Sequence, residues 1–322
     1  MPKYIVGIIT GLVVIFGSTS FTQAQTDPVA AIRQLVDEVY NAGNIAEVDT
    51  IFAENYMRYP EATNRDSFKR SILGLRAAMP DFQATAVILV NEGDMVALHL
   101  YMQGTLVNEL IFPESFPIPP NSQTITMVAN IVYRFNEMGQ VVEEWNGFDN
   151  LSFLAQVGAI PMPASIWNAP SDTVTVAAGA AKDQHLLTVQ SYFNALQNGD
   201  FNAVQHVLTD NFTAYNPFGS FDRGGFIDDW WALKNALPDL NLHVDSVTVQ
   251  GDQVVVRYTL RGTFSQNFVM ADGTVSPPSG NTVELMFVSF FRIDEAQRIV
   301  EIREIYDGFS FLVQLGVVQE DA

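Results

Sequence analysis

The chain has 322 residues, 48% of them apolar and 16% charged, with a formal net charge of −20 and no cysteine. That balance is globular rather than disordered, and the missing cysteines exclude disulfides, thiol nucleophiles and thiolate metal sites. With only 16 Lys and Arg, the chain lacks the basic clusters that hold a nucleic-acid backbone, so nucleic acid is excluded as a partner.

At the start, Lys3 precedes an apolar run from Ile5 to Phe16 and then a small, polar stretch ending at Ala24. This layout predicts a secretory leader over residues 1–24, with a secreted or periplasmic product. The run is shorter than the ~20 residues that span a bilayer, so no stable membrane anchor remains after cleavage. Val29, Ile32, Val36 and Val39 then recur at helical spacing. Gly43-Asn44 marks the start of a short second helix through Ile45, Val48 and Phe52, with Asn44 as its cap. A third helix carries Phe68, Ile72, Leu75 and Met79, and Pro80 ends it because proline disfavours helical geometry in the residue before it. From there the period changes to two, and strands are predicted at 82–91, 94–105, 123–136 and 139–148. Residues 162–182, rich in Ala, Pro, Ser and Thr, read as a linker on which Ile166 and Trp167 can dock.

After the linker the pattern begins again. Leu186, Val189, Phe193 and Leu196 repeat the first helix, Gly199-Asp200 the second, and Phe226, Trp230, Leu233 and Leu237 the third. The clearest match is terminal: Glu143–Gly158 and Glu301–Gly316 are identical at seven of sixteen positions. Unrelated residues agree at roughly one position in sixteen, so duplication explains the match. The predicted organisation is a first domain at 26–161 and a second at 183–319. Between Tyr215 and Phe226 the second copy has gained two residues, which reads as a loop. Helices first and antiparallel strands afterwards define an α+β layer fold.

Several features converge on a known family. Three helices, a Met-Pro-Asp-Phe or Leu-Pro-Asp-Leu helix exit, Gly93-Asp94 and Gly251-Asp252 hairpins, Gly104-Thr105 and Gly262-Thr263 strand ends, Pro119-Pro120 and Pro277-Pro278 loops, and a last strand running into Asp-x-x-x-Phe-Leu-x-Gln-x-Gly resemble the SnoaL-like polyketide cyclases of the NTF2-like superfamily. The resemblance implies two NTF2-like cone-shaped domains, each with N-terminal helices packed on a curved antiparallel sheet around an apolar pocket. It also implies cofactor-free ring closure with an aspartate as general acid/base, at Asp149 and Asp307 here. The same two residues are also placed to cap the helical turns that follow. Neither copy has the histidine that family cyclases carry near Tyr59-Pro60 and Tyr215-Asn216-Pro217.

Strand parity sets Trp145 on the face of Asp149 and Arg303 on the face of Asp307. Ligand-binding candidates are therefore Trp145, Tyr59 and His99 in the first copy and Tyr215, Arg303 and Arg257 in the second. His99, Tyr101 and Gln103, with Arg257, Thr259 and Arg261, make a polar face that lines either the pocket or a sheet-to-sheet interface. The apolar lip Leu110-Ile111-Phe112 and Phe116-Pro117-Ile118 suits ligand access or a packed loop. The four histidines are never at ligand spacing, so no metal is expected, and the resemblance implies no cofactor. The expected function is an exported tandem protein binding a small apolar or aromatic molecule, with cyclase or isomerase chemistry through an aspartate. The alternative is a non-catalytic capture or interaction module. Intramolecular domain pairing is expected in either case, with a homo-oligomer left open.

Overall fold

The computed structural model describes residues 27–112, 117–162, 167, 182–270 and 273–318. The expected leader at 1–24, Ile166, Phe116 and most of the 162–182 linker lie outside the described residues. Each copy builds one six-stranded sheet with the same topology. In the first, helix α1 (Pro28–Gln34) continues as a π-helix (Leu35–Asn41), followed by a 3-10 turn (Ile45–Glu47) and α2 (Val48–Ile51). Next come β1 (Phe52–Tyr59), β2 (Thr63–Asn64), α3 (Arg65–Ala78), β3 (Gln83–Glu92), β4 (Met95–Thr105), β5 (Thr124–Phe135), β6 (Val141–Phe148) and α4 (Asn150–Gln156). The second copy runs α5 (Lys182–Asn198), α6 (Phe201–Val207), β7 (Leu208–Asn216), β8 (Gly219–Asp222), α7 (Arg223–Ala236), β9 (Asn241–Gln250) and β10 (Gln253–Thr263). A small hairpin, β11 (Phe268–Val269) and β12 (Val275–Ser276), precedes β13 (Thr282–Ile293), β14 (Ile299–Ile305) and α8 (Gly308–Leu315).

The sheets are mixed rather than purely antiparallel. In the order β2-β1-β6-β5-β4-β3, β1 runs parallel to β6, and β7 runs parallel to β14 in the second copy. These two strands leave no period-two signal, because the pairing slips between Phe52 and Met57 and the burial of β1 does not alternate. The two residues gained by the second copy fall at the β7–β8 hairpin and lengthen β8.

Caps follow local chemistry. Asn64 accepts from the Asp66 and Ser67 amides at the start of α3, and Asp222 accepts from Gly225 at α7. Asp200 caps α6 through Ala203, but Asn44 makes no such bond, because the chain enters a 3-10 turn there. The offset between copies is 157 along the first helices, Val29 to Leu186 for example, but 156 at Gly43 and Gly199. The first copy therefore holds one extra residue in this helix, and the π-helix absorbs it.

Each domain has its own apolar core between its helices and the inner face of its sheet. A third cluster, including Val128, Val132, Val255, Val288 and Phe290, lies between the two sheets. This interface is reciprocal. The Asn91 amide donates to Gln250 Oε1 at 2.7 Å, and the Val249 amide donates to Glu92 Oε2 at 2.8 Å, the same pair of positions with the copies exchanged. Likewise Arg257 lies over the Trp145 ring at 4.5 Å, while Arg303, at the position of Trp145, meets His99, at the position of Arg257. Such pairing is what a two-fold dimer makes, here within one chain. Asn130 sits at the centre, donating to the Val288 and Arg303 carbonyls at 2.7 and 2.9 Å while its oxygen meets His99 Nδ1 at 2.6 Å. Burial, aided by Arg303, lowers the His99 pKa to about 3, so the ring is neutral at this junction. Of the polar face read from the sequence, His99, Tyr101 and Arg257 turn into the interface, whereas Gln103 and Arg261 are exposed.

Candidate functional site

The first domain holds a partly open cavity of about 770 Å³ between the inner face of its sheet, α3, α4 and the loop after β4. Its walls are mostly apolar. Phe68, Ile72 and Leu75 of α3 face Leu100, Met127 and Ala129 of the sheet, with Phe112, Ile118 and Phe153 nearer the loop and α4. Strand β6 offers the cavity Asn146 and Phe148, because alternate residues on a strand face the same side.

Polar groups on the wall include Arg58, Asn146 and Tyr40, together with Glu61, Thr63, Ser67, Ser71 and Asn150. Arg58 on β1 pairs across the parallel ladder with Glu144 on β6, and its Nε lies 3.2 Å from Glu144 Oε1. Glu144 is 1% exposed and also accepts from the Tyr56 hydroxyl at 2.6 Å. Burial pushes the Glu144 carboxyl up, and Arg58 and Tyr56 oppose that by favouring the charged form. With its amide oxygen turned to Arg58, Asn146 accepts from Nε at 3.2 Å and from Nη2, which leaves its NH₂ group to donate elsewhere. The buried Tyr133 hydroxyl, near the same carboxylate, has no hydrogen-bond partner among the described residues. Tyr40 stands on the π-helix, so the extra residue of the first copy lies in the segment that brings this phenol to the cavity.

The residues singled out from the sequence lie elsewhere. Asp149 is 1% exposed and caps α4 through the Ser152 amide, and its other oxygen accepts from the Trp167 indole at 2.7 Å. Burial raises its pKa and the Ser152 and Trp167 bonds oppose the rise. Asp307 caps α8 through Ser310 and accepts from the Asn150 side chain at 2.9 Å. Neither carboxyl lines the cavity, and neither do Trp145, Tyr59 or His99. Trp145 stacks on Tyr59 and packs beneath Arg257, while Tyr215 lies beneath Arg303 and beside Trp167. The parity that joined Trp145 to Asp149 is correct, but their face is the one turned to the other domain. The cavity belongs to the opposite parity, Glu144, Asn146 and Phe148. Of the lip, Phe112, Pro117 and Ile118 line the cavity.

The second domain fills the corresponding space. Leu100, Ala129 and Phe148 become Tyr258, Phe287 and Tyr306, and these rings pack together, stacked with centroids 4.8 Å apart for Tyr258 and Phe287 and tilted at 4.3 Å for Phe287 and Tyr306. Asn146 and Ser71 become Glu304 and Asp229. Burial raises the Glu304 pKa from 4.5 to about 7, against hydrogen bonds from Tyr258 and Ser289. Between those values the native domain holds a proton that the unfolded chain releases. Stability is therefore fullest below pH 4.5 and falls as pH rises towards 7, by about 3 kcal/mol for this group alone. Urea unfolding across that window should show the slope, and Glu304→Gln should flatten it. Equal slopes in both proteins would contradict the assignment.

Among the described residues, no three His, Cys, Asp or Glu side chains come together to hold a metal ion. Residues 30–157 match the family model described as SnoaL-like polyketide cyclase, and residues 189–302 match the one described as SnoaL-like domain. The chain belongs to the SnoaL-like family and carries its domain twice, in tandem. Solved structures with similarity include IdmH from Streptomyces antibioticus, assigned as a polyketide cyclase, at 26% identity, covering 41% of this chain and 99% of that one with a TM-score of 0.35. A protein from Jannaschia sp. CCS1, assigned as a SnoaL-like polyketide cyclase, is 23% identical over 46% of this chain and 99% of its own, with a TM-score of 0.38. An M. tuberculosis LEH-like epoxide hydrolase is 18% identical over 42% of this chain and 91% of its own, with a TM-score of 0.33. A comparison with curated proteins finds no match.

Proposed function

We propose that the first domain binds a small, largely apolar molecule, with an oxygen-bearing group of that molecule directed at Arg58 and Asn146, and that the second domain serves as its packing partner. The observation that carries this reading is the cavity itself: about 770 Å³, apolar on most of its wall, with Arg58 and Asn146 among its polar groups. A hydrocarbon body buried there gains roughly 25 cal/mol per Å² removed from water. Arg58 is already paired with Glu144, so the site presents oriented hydrogen-bond donors more than a free positive charge, which suits a carbonyl or hydroxyl oxygen. Export belongs to the same reading and is supported by Lys3 and the apolar run to Phe16.

A second reading is turnover of the bound molecule, an isomerisation or a cyclisation, the latter being the activity named by the family model for the first domain. It is favoured by the Tyr56–Glu144–Arg58 group behind Asn146. Arg58 and Asn146 donors fixed in a largely apolar wall stabilise negative charge developing on a carbonyl oxygen. Native mass spectrometry of the purified full chain tests the leading reading. It should reveal one bound small molecule per chain, released on unfolding and extractable into organic solvent. A chain that carries none, and takes up none from a panel of apolar ketones and alcohols, would contradict it.

A further inference from the structure

Two side-chain amides line the cavity of the first domain, and charged partners fix them in opposite senses. Arg58 holds the oxygen of Asn146, which leaves that residue's NH₂ group as a donor. Asn150, the first residue of α4, is held by the other domain: its NH₂ group donates to Asp307 Oδ2 at 2.9 Å. A carboxylate accepts and does not donate, so the nitrogen takes that side of the amide and the oxygen takes the other. That oxygen has no hydrogen bond among the described residues, and it is the end of Asn150 left for a bound molecule. Asp307 is itself fixed, because its Oδ1 caps α8 by accepting from the Ser310 amide at 2.8 Å. Leu151 of α4 and Leu312 of α8, both buried, share an apolar cluster that ties the two helices together. The second copy has Gly308 where the first has Asn150, so the amide contact runs one way only.

We propose that Asp307 is a positioning residue for the cavity of the other domain: it sets the Asn150 amide with its oxygen towards the bound molecule, which carries a hydroxyl group at that place. The inference rests on the reading of this cavity as a binding site. Arg58 and Asn146 offer donors, which suit a carbonyl oxygen, and Asn150 offers an acceptor, which needs a donor. The ligand so specified is an apolar hydroxyketone. An ether or a second carbonyl facing Asn150 would set oxygen against oxygen and leave a desolvated acceptor unpaired. Asp307 touches no ligand, yet it decides which one is accepted.

Isothermal titration of the full chain with para-hydroxybenzylideneacetone and with its methyl ether tests the inference, since the two differ in whether the distal oxygen donates. Wild type should bind the hydroxyl compound about tenfold more tightly. Asp307→Asn keeps an oxygen for the Ser310 amide but offers NH₂ to Asn150, whose amide then turns its own NH₂ group to the cavity. Asparagine is also a good N-cap, so α8 is kept. The preference should vanish in this variant with the ether binding no worse than before, whereas a merely structural role would weaken both compounds together. Asp307→Ser keeps a capping oxygen and releases Asn150, so it should also reduce the preference, and it carries the comparison if Asp307→Asn does not fold. Equal affinities in wild type, or an unchanged preference in a folded variant, would overturn the inference and leave the cavity as a binding site. Binding of neither compound would overturn the reading of the cavity as well.

Discussion

Ala129→Phe is expected to abolish ligand binding by the first domain while leaving its fold intact. Phenylalanine already occupies this place in the second domain, where Phe287 fits the same sheet topology between Tyr258 and Tyr306. In the first domain the ring would enter open space between Leu100 and Phe148 instead of a packed core, so the overpacking cost that usually attends a small-to-large change is small. The ligand loses that volume directly. A fall in affinity of two orders of magnitude or more, about 3 kcal/mol, is expected by titration with the extracted ligand. Circular dichroism and the unfolding midpoint should stay close to wild type. Retention of the bound mass in Ala129→Phe would place the ligand outside this cavity.

Arg58→Leu should have the largest effect on stability. It leaves Glu144, 1% exposed, with Tyr56 as its remaining partner for a buried charge. Breaking one side of such a pair costs about 3–5 kcal/mol, whereas removing both charges is often close to neutral. The first domain should therefore unfold at much lower denaturant in Arg58→Leu, and Glu144→Gln placed in the same chain should restore most of the loss. The double-mutant cycle separates the pair from other effects of shortening Arg58. A single-variant cost below about 1 kcal/mol would mean that Glu144 is carried neutral, without need of Arg58.

The helices and long strands were legible because their periods are strong. Phe68, Ile72 and Leu75 line one face of α3, and the hairpins at Gly93 and Gly251 sit at positive φ, as tight turns of this kind require. The strands β1 and β7 were not, since their pairing is irregular and part of each partner lies more than eighty residues away. The cavity wall was not legible for a different reason. Alternation says which β6 residues share a face, but nothing local says which face is concave. Trp145 and Asp149 look like a pocket pair in sequence, yet they face the second domain, where the indole of Trp167 occupies Asp149. A usable signal was present in the repeat: Arg58 against Ala214, Glu144 against Ile302 and Ala129 against Phe287 mark where one copy keeps charge and space that the other has given up.

The most direct test of a ligand site on the Asn146 face of the first domain is NMR of the full chain with labelled methionine methyl groups and the extracted ligand bound. Met102 and Met127 line the cavity, whereas Met286 belongs to the second domain. Intermolecular contacts from the ligand to Met102 and Met127, with Met286 unchanged, are the result expected. Contacts confined to Met286, or to the indoles of Trp145 and Trp167 between the domains, would contradict it.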